Sequence, residues 1–205
     1  MIEFSHYRSI LCLNGELPSA EFFSGDLPVI AADGAANTLM AMGITPHIVI
    51  GDLDSVYPEH QARLNCLLHY DQNYNDFQKS MFYLQKNALL PAIIVGINGG
   101  FLDHVLNNIS LFINTDSVLY APPITGYVLQ PDCTYTFKLP PDTKISLLGI
   151  PAAKVTSRGL KWELQQQALV FAVSNSCFNR SVAETIEINN HEGRVLILIY
   201  EGDNV

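Results

Sequence analysis

Two textures along the 205-residue chain predict an α/β fold class: an N-terminal open, mainly parallel α/β domain over residues 1–122, then a C-terminal antiparallel β-sandwich over residues 123–205. Up to about residue 120, short apolar runs alternate with segments of helical periodicity, as βα units do. Beyond Ala121-Pro122-Pro123, short β-prone pieces separated by turn formers take over. With 48% hydrophobic and 15% charged residues, the chain has ample material for one large core or two small ones.

The elements follow in order. Ile10 to Leu13 is the first predicted strand, ending at Asn14-Gly15, and Val29 to Ala32 the second, ending at Asp33-Gly34. Residues 36–42 read as a helix closed by Gly43. His47 to Ile50 is a third strand and runs into Gly51-Asp52-Leu53-Asp54-Ser55. Pro58 to Leu68 reads as a helix with Pro58 in its first turn. Asp76 to Asn87 reads as another, with Phe77, Met81 and Leu84 at helical spacing. Ala92 to Gly96 is a strand, Asp103 to Ile113 a helix, and Val118 to Tyr120 a strand. The β-prone pieces beyond are 126–130, 133–138, 144–149, 168–173, 184–188 and 194–200. Pro140-Pro141-Asp142, Gly149 and His191-Glu192-Gly193 punctuate them.

Composition removes several function classes. A formal charge of −9 and a pI near 4.9 argue against a nucleic-acid binder, which needs Lys and Arg to neutralise phosphate. Cys12, Cys66, Cys133 and Cys177 are scattered without Cys-x-x-Cys or zinc spacing and read as buried free thiols. The N-terminus lacks a basic-then-apolar signal pattern, and no apolar run approaches the ~18 residues of a membrane span. The expectation is a soluble, cytoplasmic protein.

In open parallel sheets, ligands bind beyond the carboxyl ends of the strands. Asn14, Asp33, Asp52, Asp54 and the Gly99-Gly100 to Asp103 segment all follow predicted strand ends, so they should gather along one edge. Asp52 and Asp54 are two apart, and in extended backbone their side chains point the same way. Two carboxylates ~4 Å apart repel by roughly 4 kcal/mol at an effective dielectric of ~20. A hard cation such as Mg²⁺, bridging to phosphates, relieves that repulsion; the alternative is an acidic turn capping the next helix. The gathering of five polar points on one edge favours the metal.

Asp33-Gly34-Ala35-Ala36-Asn37 opens a helix with very small side chains, either to admit a nucleotide to the helix start or simply to cap and pack it. Asp76 and Lys79 are three apart; that spacing reads first as a surface ion pair, with a metal–phosphate pair as the other reading. Asp103-His104 after Gly99-Gly100 reads first as an N-cap Asp beside a solvated His. Trp162, the single tryptophan, follows a glycine turn; it is either a core or rim residue or a stacking face for a flat heteroaromatic ring. There is no P-loop, no Gly-x-Gly-x-x-Gly turn and no Gly-x-Ser-x-Gly elbow.

Read together, Leu13-Asn14-Gly15-Glu16, Ala32-Asp33-Gly34-Ala35-Ala36, Gly43-Ile44-Thr45-Pro46, Gly51-Asp52-Leu53-Asp54-Ser55, Asp76-Phe77-Gln78-Lys79, Asp103-His104 and Ser157-Arg158-Gly159-Leu160-Lys161-Trp162 stand in the order seen in thiamin pyrophosphokinases. The chain resembles that family from about residue 10 to its end. The resemblance implies transfer of the β,γ-diphosphate of ATP to the hydroxyl of thiamine, with Mg²⁺, giving thiamine diphosphate and AMP. It also implies a homodimer with thiamine at the subunit interface. Carried across, Asp52, Asp54, Asp76 and Lys79 are the catalytic residues, with Asp52, Asp54 and Asp76 holding the metal. Asn14, Asp33, Gly34, Ala35, Asp103 and His104 would bind ATP, and Ser157, Trp162, Ser174 and Asn175 thiamine.

The chain also departs from the family pattern. In Asp71-Gln72-Asn73-Tyr74-Asn75-Asp76, Asn73 removes a charge and Asn75 replaces a hydroxyl residue. Gly100-Phe101-Leu102-Asp103 lacks the Arg that often precedes the Asp-His pair, and with it a bidentate phosphate contact. Two rival functions stand beside this one: a pyrophosphokinase of a pterin alcohol, or, motivated by Asn75 and Phe101, a nucleotide- or thiamine-binding protein with weakened catalysis.

Overall fold

The computed structural model describes residues 2–202, and its contacts divide the chain into two compact units, one of Ile2–Ala121 and one that begins at Pro122. The first unit holds strands β1 (Ser9–Cys12), β2 (Val29–Ala32), β3 (Ile48–Gly51), β4 (Cys66–Leu68), β5 (Ala92–Val95) and β6 (Val118–Ala121). They pair in the order β6-β5-β1-β2-β3-β4, every neighbour parallel. β1, β2, β3 and β5 are buried at every residue, which is why they read as short apolar runs without alternation. Helices α1 (Ala35–Ala41), α2 (Pro58–Gln61), α3 (Asp76–Lys86) and α4 (Leu102–Phe112) connect them. Leu39, Phe77, Leu84 and Phe112 carry the buried apolar faces of α1, α3 and α4.

The chain runs outward from β1 through β2 and β3 to β4, then returns to the other side of β1 with β5. Strand order therefore reverses between β1 and β5, the place where such sheets open a crevice for ligands. α1 ends in a Schellman pair, Gly43 N–H to Met40 O (3.1 Å) and Ile44 N–H to Leu39 O (2.9 Å).

The helix predicted over Pro58–Leu68 is corrected. It stops at Gln61, and Cys66–Leu68 adds a parallel edge strand to β3. Val49 N–H to Asn65 O and His69 N–H to Gly51 O, both 2.8 Å, fix this edge. Helix propensity differs by at most ~0.7 kcal/mol between ordinary residues, too little to hold this segment against sheet pairing. The other predicted boundaries of this unit fall within one residue of those observed.

The second unit is antiparallel: β7 (Ile124–Leu129), β8 (Cys133–Lys138), β9 (Lys144–Arg158), β10 (Gln167–Val170), β11 (Ser176–Arg180) and β12 (Thr185–Tyr200). The predicted pieces 144–149, 184–188 and 194–200 belong to two strands of 15 and 16 residues, and β11 was not foreseen. The late half of β9 and early half of β12 form one sheet with β10 and β8. The other halves form a second sheet with β11 and β7. Register shifts at Asn190/Glu192 and Gly193/Arg194 mark the passage from one sheet to the other. Gly193, at φ +70°, lies so close to the Ala152 carbonyl that no other residue fits the bend. Ile145, Leu147, Val155, Ile186, Ile188 and Ile197, drawn from both sheets, share one core.

All four cysteines are free, but only Cys12 is buried; Cys66 is half-buried and Cys133 and Cys177 are exposed, so the expectation of four buried thiols is corrected. Among the described residues, no helix is long and apolar enough to cross a membrane.

Candidate active site

Asp33 follows β2, and Asp52 and Asp54 follow β3. One ligand oxygen from each lies within 4.8 Å of the others. The route to this convergence differs from the expected one. Leu53 adopts φ +65°, so Asp52-Leu53-Asp54 is a turn, and the turn rather than extended alternation brings both carboxylates to Asp33. Asp33 is likewise left-handed, at φ +44°, and folds its side chain over Gly51, where a Cβ would come within 2.8 Å of the Asp33 Cβ. Asp33 is buried, and its Oδ1 has no hydrogen-bond partner. A buried acceptor without a donor beside two further carboxylates fits a hard, oxygen-seeking cation.

Electrostatics separate the three. Burial pushes the Asp33 carboxyl above its ordinary range, as do the nearby Asp76 and Asp54 charges, while the Ser55 hydroxyl works the other way. Asp52 is held below the usual range, chiefly by the Gln72 amide, which donates to Oδ2 at 2.9 Å. Asp54 accepts from the Ser55 hydroxyl at 2.9 Å. A carboxyl whose folded pKa is raised favours the fold below its unfolded pKa, and that contribution is lost as pH rises through the folded value. Asp33→Asn should therefore melt higher than the wild type at pH 7 in metal-free buffer, with the gap closing toward pH 3. Thermal melts of both proteins at the two pH values check this; equal melting points at pH 7 would contradict it.

Asp76 opens α3. Its Oδ1 lies 3.0 Å from Lys79 Nζ, and the Lys79 side chain is 2% exposed. The first reading of this spacing, a surface pair, is thereby corrected: the helix turns the lysine inward among buried Phe77, Ser80 and Leu84. Asn75 caps α3 reciprocally, its Oδ1 accepting from Gln78 N–H (2.9 Å) while Gln78 Oε1 accepts from Asn75 N–H (3.2 Å). Asn75 thus does at the helix start what a hydroxyl residue would do. Asn73 donates twice to Asp71 Oδ1, at 2.9 and 2.8 Å. In the metal-ligand group Asp33, expected on ATP, stands where Asp76 was expected.

Asn14 follows β1 and lies against Gly34, where a Cβ would come within 2.7 Å of its amide nitrogen. At the strand-order reversal, Glu16 Oε2 accepts from Asn98 Nδ2 (2.9 Å), tying the loop after β1 to the glycine-rich loop after β5. Ala35 is buried at the first turn of α1. Asp103 and His104 are exposed on the first turn of α4; Asp103 lies inside the helix and Phe101 occupies the N-cap position, so the capping reading of Asp103 is corrected. A cavity of about 550 Å³ opens elsewhere, beside Phe77, Met81, Pro91, Leu111 and Ser117, at the amino ends of β5 and β6 and away from the carboxylates.

In the second unit Trp162 is 56% exposed, with Lys161 Nζ 4.9 Å from its ring centroid. Its backbone is clamped by buried Asn179, which accepts from Trp162 N–H (3.1 Å) and donates to Trp162 O (2.7 Å). Ser157 is buried, donating to Glu163 (2.8 Å) and accepting from Leu164 N–H (2.8 Å). Asn175 is engaged with Gly149 N–H, Val170 O and Phe171 O, and Ser174 is exposed in the turn it closes. Gln72 and Asn179 escaped the sequence reading. Each acts on a residue 17 to 20 positions away, and no local pattern announces such a contact.

Comparison with known proteins finds the same fold. The family model for the catalytic domain of thiamin pyrophosphokinase matches residues 21–119. A thiamine pyrophosphokinase 1 of Oryza sativa subsp. japonica is 24% identical over 196 aligned positions, covering 78% of this chain and 74% of the relative. Thiamine pyrophosphokinase 1 of Arabidopsis thaliana is 26% identical over 173 positions, covering 71% of this chain but only 62% of the relative. Among solved structures, a Bacillus subtilis thiamine pyrophosphokinase superposes with TM-score 0.80 at 20% identity, covering 95% of this chain and all of that one. One from Candida albicans gives 0.83 at 15% identity, with 97% and 91% coverage.

Proposed function

We propose that this chain, which belongs to the thiamin pyrophosphokinase family, transfers the β,γ-diphosphate of ATP to the hydroxyl of thiamine, giving thiamine diphosphate and AMP. The observation that carries the reading is the meeting of Asp33, Asp52 and Asp54 within 4.8 Å at the carboxyl edge of the sheet. These three residues would hold Mg²⁺, with Asp76 beside them. When bound, the ion supplies the positive charge by which an acidic protein attracts a polyphosphate and neutralises it during transfer.

In the reaction the thiamine hydroxyl gives up its proton to solvent as its oxygen bonds to the β-phosphorus, and the bond from that phosphorus to the α,β-bridging oxygen breaks in line, the oxygen leaving with AMP. Such transfer depends mostly on positioning and charge. Lys79, held by Asp76 and screened from water, is a preorganised cation for a phosphoryl oxygen. Asn14, Gly34 and Ala35 form the small, polar entrance to α1 for the nucleotide, and Asp103 and His104 contribute from the exposed first turn of α4. Trp162 supplies a ring face for thiamine. The ring already attracts the Lys161 ammonium, and the same quadrupole favours a cationic heterocycle. Ser157 and Asn175 serve that site by shaping its loops, and Ser174 by its exposed hydroxyl.

The protein acts in the cytoplasm as a homodimer that binds thiamine at the subunit interface. Exposed Phe171, Val173, Phe178 and Val182 in the second unit supply apolar surface for such an interface. Incubation with ATP, Mg²⁺ and thiamine should yield AMP and thiamine diphosphate in equal amounts. Turnover only with a pterin alcohol, or nucleotide binding without turnover, would replace this reading by one of its rivals.

A further inference from the structure

The backbone of the turn that carries Asp52 and Asp54 has only long hydrogen bonds of its own, Val56 N–H to Leu53 O and Asp54 N–H to Asp52 Oδ1, both 3.4 Å. Leu53 is left-handed, a conformation costing an ordinary residue about 1 kcal/mol. Three carbonyls of the stretch, those of Leu53, Ser55 and Val56, point away from any strand or helix ladder. Two amide side chains from flanking helices satisfy all three. Gln61, the last residue of α2, donates from Nε2 to Leu53 O at 2.8 Å and Val56 O at 2.9 Å. Asn37, in the first turn of α1, donates from Nδ2 to Ser55 O at 2.7 Å and accepts at Oδ1 from Tyr57 N–H at 3.0 Å. His60 Nδ1 lies 2.9 Å from the same Oδ1. Since Oδ1 only accepts, Nδ1 of His60 must carry the proton, and this fixes the Asn37 amide from a third side.

We infer that Asn37 and Gln61 are positioning residues for cation binding: they hold the Leu53–Tyr57 backbone so that the Asp52 and Asp54 carboxylates converge on Asp33. This rests on the metal-dependent reading above and adds to it the part of the chain that sets the ligand geometry. These amides hydrogen-bond the turn's backbone and His60, so their effect passes through the backbone. Supports of this indirect kind are worth ~10–100-fold in metal affinity, because carboxylates displaced by a fraction of an ångström no longer share one ion.

The test uses Gln61→Met and Asn37→Leu, which keep side-chain bulk and remove the hydrogen bonds without adding charge. Mn²⁺ is titrated into the full-length proteins and free ion is followed by electron paramagnetic resonance, with circular dichroism melts in parallel. Each folded variant should bind Mn²⁺ ~10–100-fold more weakly than wild type. In turnover, the Mg²⁺ concentration for half-maximal rate should rise by a similar factor while the KM for thiamine stays put, a split that general loosening would not give. If one variant fails to fold, the other decides. Folded variants with wild-type Mn²⁺ affinity overturn the clamp and leave the functional reading standing. A wild-type protein that takes up no Mn²⁺ overturns both.

Discussion

Asp54→Asn should lower kcat/KM by about a thousandfold or more while the melting temperature stays within about two degrees of wild type. The two halves of this expectation have separate causes. Asp54 is exposed, and it hydrogen-bonds within the same turn, accepting from the Ser55 hydroxyl and donating its backbone N–H to Asp52. Removing its charge also relieves repulsion with Asp33 and Asp52, so the fold loses little. The site proposed for the cation, in contrast, loses one of its three converging carboxylates. Paired steady-state kinetics and calorimetry measure both halves, and near-normal turnover would refute the assignment of Asp54 to the metal.

Asp76 and Lys79 should respond asymmetrically to truncation. Lys79 is 2% exposed and Asp76 34%, so the ammonium depends on its partner while the carboxylate can still reach water. Asp76→Ala strands a buried cation and should cost roughly 3 kcal/mol or more of stability, whereas Lys79→Met should cost about 1 kcal/mol. The double variant should recover most of the Asp76→Ala loss, because the buried charge is then gone. Urea unfolding of the four proteins gives the cycle. A coupling energy near zero in that cycle would mean that the pair is worth no more than a surface contact. Both single variants should also slow turnover by ~10²-fold, the scale of removing one preorganised charge from a transferring phosphoryl group.

The departures from the family pattern look different in the folded chain. Asn75 is an N-cap with a reciprocal Gln78 contact, and Asn73 braces Asp71, so both are used structurally. Phe101 remains exposed at the start of α4, 5.9 Å from the His104 ring, with no Arg beside it in sequence.

What the sequence alone determined was everything with local period or local chemistry. The buried strands β1, β2, β3 and β5 are apolar runs because both sheet faces are covered, and helix α3 declares itself by Phe77, Met81 and Leu84 at helical spacing. Parallel strands have their carboxyl ends on one side, so Asn14, Asp33, Asp52 and Asp54 had to share an edge. Only the tertiary structure decided what depends on partners far along the chain. It made Cys66–Leu68 an edge strand through bonds to β3, turned Lys79 into the core, and brought Asp33 into the carboxylate group. It also recruited Asn37, Gln61 and Gln72 to hold that group in place. Local propensities amount to tenths of a kcal/mol per residue, whereas burying or stranding a charge or a carbonyl costs several times more. Where the two conflict, burial and pairing win, and neither can be seen until the chain has folded.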